Sequence, residues 1–471
     1  MSLSPSGRSR LARTVALCAS VALLAAACTL TDGDSDAGPE NGSAPTGPPS
    51  PTAEPLTLRL GVHGPEGLLA AYEEMAATYE EANPGVRVEL VTAPDHDAAM
   101  GAIERDRAAG EAPDVFLVEH GDLPKLLDDE WVQPVDELLS QRGVDFGDGY
   151  QREGMTAFSA DMRLHCMPHD VSPMVVYYNT DLLDLTTIGD DPEEAPTAED
   201  GWTFDQFAEA ARSVSTRRVK GVHVAPDLEQ LAPFVWSAGG DLVDSTGDPS
   251  RLTLSEGDSR EALDRVLTLL RETRVTPSRE QLSRRSAVDR FVGGRLAMVL
   301  GYRSLVPQLR EAEDLAFDVM PLPRLGSYRT ISSITGFCLS ATTEQVEAAA
   351  DLLTYIVGPG EEIVTRAGYT LPANLDVAYS RDFSQRSQEP QSAFVFNEGI
   401  RRAAHVPLGR EWRAAAAGAV PQLTRLLFSP VIDLDRVLQR IDDSSEVVFV
   451  TEDEADADDI GADEDAEDID E

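Results

Sequence analysis

The sequence predicts an α/β fold with enough chain for two lobes. Two observations carry this. Strand-like and helix-like segments alternate from residue 56 onward, and roughly 390 residues of ordinary globular composition remain once the two ends are set aside.

The elements follow in order. Leu56 to Val62 alternates as a strand does. Leu68, Tyr72, Met75, Ala76 and Tyr79 then recur at helical spacing, a stripe that reads as core, and Asn83-Pro84-Gly85 stops the helix. Val86 to Val91 is a second strand, 97–109 a second helix, and Asp114 to Val118 a third strand. This alternation predicts a largely parallel sheet with helices on its faces. A second unit opens with a strand at Met174 to Tyr178, followed by helices at Phe204 to Val214 and Ala262 to Glu272. Phe291 to Leu300 holds a glycine pair and then an apolar run, and Leu315 to Met320 is another strand. Ile331 to Ser340 is strand-like and Glu344 to Ile356 a striped helix. From about Ser392 to Leu438 the chain reads as helical, with breaks expected at Pro407 and Pro421.

The ends carry different information. Arg8, Arg10 and Arg13 precede a stretch without a charge, Thr14 to Ala27, too short for a membrane span of about 20 apolar residues. It closes on Leu24-Ala25-Ala26-Ala27-Cys28, which resembles a bacterial lipobox, although Ala25 stands where Leu or Val is commoner. The resemblance implies a signal peptide over 1–27 and a diacylglyceryl group on Cys28. Residues 28–55, rich in Gly, Ser, Pro, Thr and Asp, read as a disordered linker. At the other end 446–471 reads as a solvated acidic tail, with 13 Asp or Glu and no base in residues 451–471.

Charge and cysteines bound the partners. A net charge of −44 argues against nucleic acid, whose phosphates need a basic face. Of four cysteines, Cys18 leaves with the signal and Cys28 takes the lipid. Cys166 and Cys338 remain, either paired in an oxidising compartment or buried and free.

No catalytic or cofactor signature stands out: there is no Gly-x-Ser-x-Gly, no His-Glu-x-x-His, no phosphate-cradling loop and no Cys-x-x-Cys. His165 and His169 are four apart, but Pro168 between them forbids the regular helix that would align them on a metal.

The positive signal is a series of short segments in order. Leu56 to Gly85 ends in Asn-Pro-Gly, Ala112 to Phe116 reads APDVF, and Pro168 is followed by Val176-Tyr177-Tyr178-Asn179. Gly201 to Phe207 reads GWTFDQF, Ala238-Gly239-Gly240 is a turn, and Phe291 to Met298 reads FVGGRLAM with Gly301 after it; Leu371-Pro372 comes last. Together they resemble the family 1 extracellular solute-binding proteins, the maltose-binding type that serve ABC importers, over 56 to about 440.

The resemblance implies a periplasmic-binding-protein fold, two α/β lobes joined by three hinge crossings near Pro168–Pro173, 326–335 and 372–377. The lobes would comprise 56–168 with 333–372, and 173–330 with 376–445. It also implies a Cys166–Cys338 disulfide, since the family brings those strands together. The cleft would be lined from strand ends: His63 and His120 after the first and third strands, and His169, Asp170 and Ser172 at the first crossing. Arg303 takes the place where the family's sugar binders usually have Trp, so an anionic or modified sugar becomes a candidate. Tyr302 beside it, Trp412 on the late helix and Trp236 are candidates to supply rings, whereas Trp202 reads as core.

The function implied is a lipid-anchored receptor on the outer face of the cell membrane. It would be monomeric and free of catalysis, cofactor and metal, and would deliver a small solute, foremost a carbohydrate, to ABC permease subunits. The alternatives are a secreted glycan-active enzyme and a sensor or scaffold lipoprotein of the same fold.

Overall fold

The structure, a computed structural model, describes residues 55–430 and 433–450. The expected signal peptide, Cys28 and its linker, and the acidic tail beyond Val450 lie outside the described residues.

The chain opens with β1 (Leu56–His63), α1 (Glu66–Ala82), β2 (Val86–Ala93), α2 (His96–Ala109) and β3 (Val115–Glu119). Helix α1 buries Tyr72, Met75, Ala76 and Tyr79, the expected stripe, and ends where the Asn83 side chain donates to the Tyr79 carbonyl at 2.9 Å. Helix α2 starts on Asp95, which accepts the Ala98 amide, and stops at left-handed Gly110. There follow β4 (Cys166–Pro173), β5 (Val175–Asn179), α3 (Phe204–Ser213), β6 (Lys220–His223), α4 (Leu228–Ala238), α5 (Gly257–Leu270), β7 (Leu296–Gly301) and β8 (Phe317–Met320). The last are β9 (Thr330–Ser340), α6 (Val346–Ile356), α7 (Pro359–Arg366), α8 (Arg410–Phe428) and α9 (Leu434–Val450).

Two sheets organise these elements. The first runs β4-β9-β3-β1-β2 and the second β8-β5-β7-β6. Neither is largely parallel, as the alternation suggested. Parallel pairing holds for β1 with β2 and β3 and for β6 with β7, whereas β9 runs against β3 and β4, and β5 against β7 and β8. The reason is connectivity. Strand β4 leads out of the first sheet, with Met174 alone between it and β5, and β9 brings the chain back after β8. A strand that returns from the other half enters against its neighbours.

Strands β4 and β9 face each other so that Cys166 is directly opposite Cys338, and the two sulfurs are bonded. Both are fully buried. Register shifts between Thr335 and Gly336. Glycine is required there, because a Cβ at Gly336 would come within 2.6 Å of the Phe158 ring.

Two hydrophobic clusters result, and the second sheet belongs to both. Along β5, Val175 and Tyr177 pack in the first cluster and Val176 in the second, as expected for a strand whose side chains alternate between covered faces. Trp202 is fully buried in the second cluster. Two other expectations need correction. Pro421 does not break a helix but lies inside α8, whose Trp412, Ala415, Ala419 and Leu423 hold the second cluster across the one missing hydrogen bond. Residues 446–450 continue α9 rather than beginning the tail, with Phe449 packed in the second cluster. Among the described residues no helix is long and apolar enough to cross a membrane.

Candidate functional site

A cavity of about 550 Å³ lies where the two halves meet. From the first half come Glu119, His120 and Gly121, at the end of β3, and Ser332 and Ser333 of β9. From the second come Glu229 in the first turn of α4, Tyr302 just after β7, and Trp412 and Arg413 of α8. His405 closes the wall. A larger hollow of about 720 Å³ around Tyr379, Phe394 and Arg401 gathers none of the residues expected to bind.

Of the nine expected ligand-binding residues, His120, Tyr302 and Trp412 line this cavity. Burial holds the His120 imidazole down at about 4, with His405 nearby adding to the effect, so it is neutral at physiological pH. Tyr302 donates to the Glu229 carboxylate. Trp412 is 7% exposed, with one side in the second cluster.

The other six lie elsewhere. Arg303 is fully buried behind the wall, its guanidinium 4.7 Å from the Phe383 ring and Nη2 donating to the Phe383 carbonyl at 3.3 Å. Tyr302 has extended backbone, so successive side chains project to opposite sides. Tyr302 therefore takes the cavity and Arg303 the interior, off the cavity wall. His169, Asp170 and Ser172, expected at the first crossing, belong to β4, the strand that leads from the first sheet to the second; paired with β9, they do not line this cavity. His169 bonds the Tyr72 hydroxyl at 3.0 Å and lies 3.6 Å from Glu361. Asp170 accepts the Leu371 amide, and the Ser172 hydroxyl accepts the Arg303 amide at 2.9 Å. Trp236 sits at the edge of the second cluster near the end of α4. His63 is half-buried with its ring 5.4 Å from His96.

Burial raises the Asp170 carboxyl to about 7, more than the Leu371 amide and the Arg303 charge pull it down. A carboxyl raised in the fold keeps its proton there but loses it unfolded, so stability is lost as pH climbs from about 4 to about 7. Asp170→Asn retains an acceptor for Leu371 and has no proton to lose. Its stability relative to wild type is expected to rise by about 2 kcal/mol between pH 4 and pH 8, discounted from the full shift because Asp170 is only half-buried. Urea melts at the two pH values would measure it.

Four ionisable wall residues were not anticipated: Glu119, Glu229, His405 and Arg413. Signals existed for three of them. Glu119 ends a strand beside His120, Glu229 opens the helix after a strand, and Arg413 neighbours Trp412. Arg413 also joins the halves. Its Nη1 is 3.0 Å from Asp122 Oδ1, and Asp122, 3% exposed, takes His96 Nε2 at 3.0 Å on its other oxygen. Burial works against the Asp122 charge, but the bonds from His96 and Arg413 win and lower it. Arg413→Ala is expected to cost about 1 kcal/mol in urea, since the guanidinium is half-exposed and His96 still serves Asp122. It should also enlarge the radius of gyration of the ligand-free protein in X-ray scattering.

Two α/β halves with a cavity at their seam, roofed by loops at strand ends, define a class of protein that closes on a small solute. The sequence profile of the bacterial extracellular solute-binding proteins matches residues 65–363, and the chain belongs to that family. Solved structures share the fold. An ABC substrate-binding protein from Listeria monocytogenes, in complex with cycloalternan, aligns with a TM-score of 0.72 at 19% identity, over 83% of this chain and 98% of that one. The sugar-binding protein MalE from Xanthomonas citri gives 0.70 at 17% identity, over 87% and 100%. The GacH receptor of Streptomyces glaucescens, solved unliganded and with acarbose, gives 0.67 at 17% identity, over 84% and 98%. The fold is thus the two-lobed α/β arrangement of the periplasmic sugar-binding proteins.

Proposed function

We propose that this chain is a lipid-anchored receptor that captures a carbohydrate between its lobes and delivers it to an ABC importer. The observation that carries this is the seam cavity. Both lobes contribute to it, Trp412 and Tyr302 offer ring surface, and Glu119, Glu229 and Ser332 offer hydrogen-bonding groups for hydroxyls. The solutes bound in structural relatives, cycloalternan and acarbose, support the same class.

Contacts made to both lobes at once favour the closed form, and that form would dock on the permease. The hinge would comprise three crossings, the third at 372–377. The receptor works as a monomer and returns its ligand chemically unchanged. Cys28 supplies the tether, with the following linker setting its reach.

A thermal-shift panel of mono- and oligosaccharides with the purified chain tests the ligand class. At about a hundredfold excess over Kd a true ligand contributes about 2.7 kcal/mol, near 3 °C for a chain of this size. No response to any sugar, with a response to amino acids or polyamines, would overturn it. In cells, Cys28→Ser should release the receptor into the medium with its affinity intact. Retention on the membrane would refute the anchor.

A further inference from the structure

The charges around the seam cavity do not balance. Glu119 enters from the first lobe and Glu229 from the second. Both carboxyls are raised, chiefly by burial; His96 pulls Glu119 back down, while Asp122 and, from the other lobe, Glu229 push it up. Arg413 is the one Arg or Lys among the cavity's lining side chains, and its charge is already offset by Asp122. His120 and His405 are both lowered, chiefly by burial, and bring no charge at neutral pH. Behind the wall, His96 is bonded to the same Asp122. Three carboxylates, Glu119, Glu229 and Asp122, are therefore set against Arg413 and, when protonated, His96, which leaves one negative charge in excess and Glu229 without a cation of its own.

A neutral sugar could donate hydroxyls to Glu119 and Glu229, but as it displaced water from the cavity it would leave the excess charge uncompensated. An ammonium group has three donors and a compact charge, enough to bridge carboxylates from opposite walls. Tyr302 already donates to Glu229, which fixes the orientation of that carboxylate before a ligand arrives. Ser332 of the same wall has a hydroxyl with no hydrogen-bond partner, which a change of side-chain rotamer would turn toward the cavity.

We propose that the solute is an amino sugar or a short glycan containing one, its protonated amine held between Glu119 and Glu229 and its ring against Trp412. This rests on the carbohydrate reading above and narrows it. An amine seated there contacts both lobes and so favours closure by charge as well as by shape.

Calorimetric titration of the purified full chain with matched pairs tests the proposal. Glucosamine, galactosamine and mannosamine, with glucosamine oligomers, are set against glucose, galactose, mannose and glucose oligomers of equal length. The tightest ligand should come from the amino set and bind at least about tenfold better than its neutral counterpart. Glu119→Gln and Glu229→Gln should each reduce that amino-to-neutral ratio about tenfold, and circular dichroism would confirm that each variant is folded. A neutral sugar binding as tightly as its amino counterpart, or an unchanged ratio in both Gln variants, overturns the proposal and leaves the carbohydrate reading standing. Silence toward both sets overturns the two together.

Discussion

Trp412→Ala is expected to weaken binding of the best sugar ligand about 30-fold or more. The basis is position. Trp412 is 7% exposed, lines the cavity, and begins α8, so the helix presents the ring from a rigid base. Aromatic anchors of this kind, well packed behind and open on one face, carry more than about 2 kcal/mol of affinity in binding sites. The same substitution removes packing from the second cluster and should lower stability by up to about 3–5 kcal/mol. Trp412→Phe separates the two effects, because it keeps a ring at the wall while giving up part of the packed volume. Titration calorimetry should find the Phe variant between wild type and Ala. Wild-type affinity in the Ala variant would remove Trp412 from the site.

The second large effect concerns the bridge between β4 and β9. Cys166 and Cys338 are 172 residues apart, so their bond closes a long loop in the unfolded chain. Chain-entropy arguments put such a constraint at about 5 kcal/mol, an upper figure because unfolded chains retain structure. Cys166→Ala with Cys338→Ala avoids burying two unpaired hydroxyls, since both positions are fully buried. Calorimetry should show a fall in Tm of about 5–6 °C for roughly 390 folded residues. Wild type should drop by a similar amount in reductant, while the double variant should not respond. A variant melting within about a degree of wild type would mean that the β4–β9 pairing holds without its crosslink.

Much of the fold was legible because local rules agreed with the final packing. The stripe on α1, its stop at Asn83 and the alternation in β1 all survive into the structure. Strand direction was not legible, since periodicity identifies a strand but not whether its neighbour runs with it. Pro421 misled because an intrahelical bond can be lost when the turns on either side are packed. The site was readable only in part. His120 follows the rule that strand ends meet ligands, but the rule does not say which of two adjacent residues faces the space. Tyr302 and Arg303 show this most plainly, one on the wall and one fully buried. His169, Asp170 and Ser172 were expected in the cleft because the resemblance puts binding groups at the first crossing; they lie on the strand that makes that step, but paired with β9 and off the cavity wall. Glu119 and Glu229 were hidden among 83 acidic residues, where carboxylate identity selects nothing.

The first hydrophobic cluster does not stop at the first lobe. Tyr177, Val299 and Phe317 of the second sheet belong to it together with Leu60, Phe116 and Phe337 of the first. A swinging lobe must therefore carry part of the other's interior with it, which restricts the motion to a narrow arc rather than a loose flap. It also joins the fates of the lobes. Loss of order in one strips apolar surface from the other, so a protease that nicks either lobe should meet a chain that fails as a single body, with no surviving half left to bind.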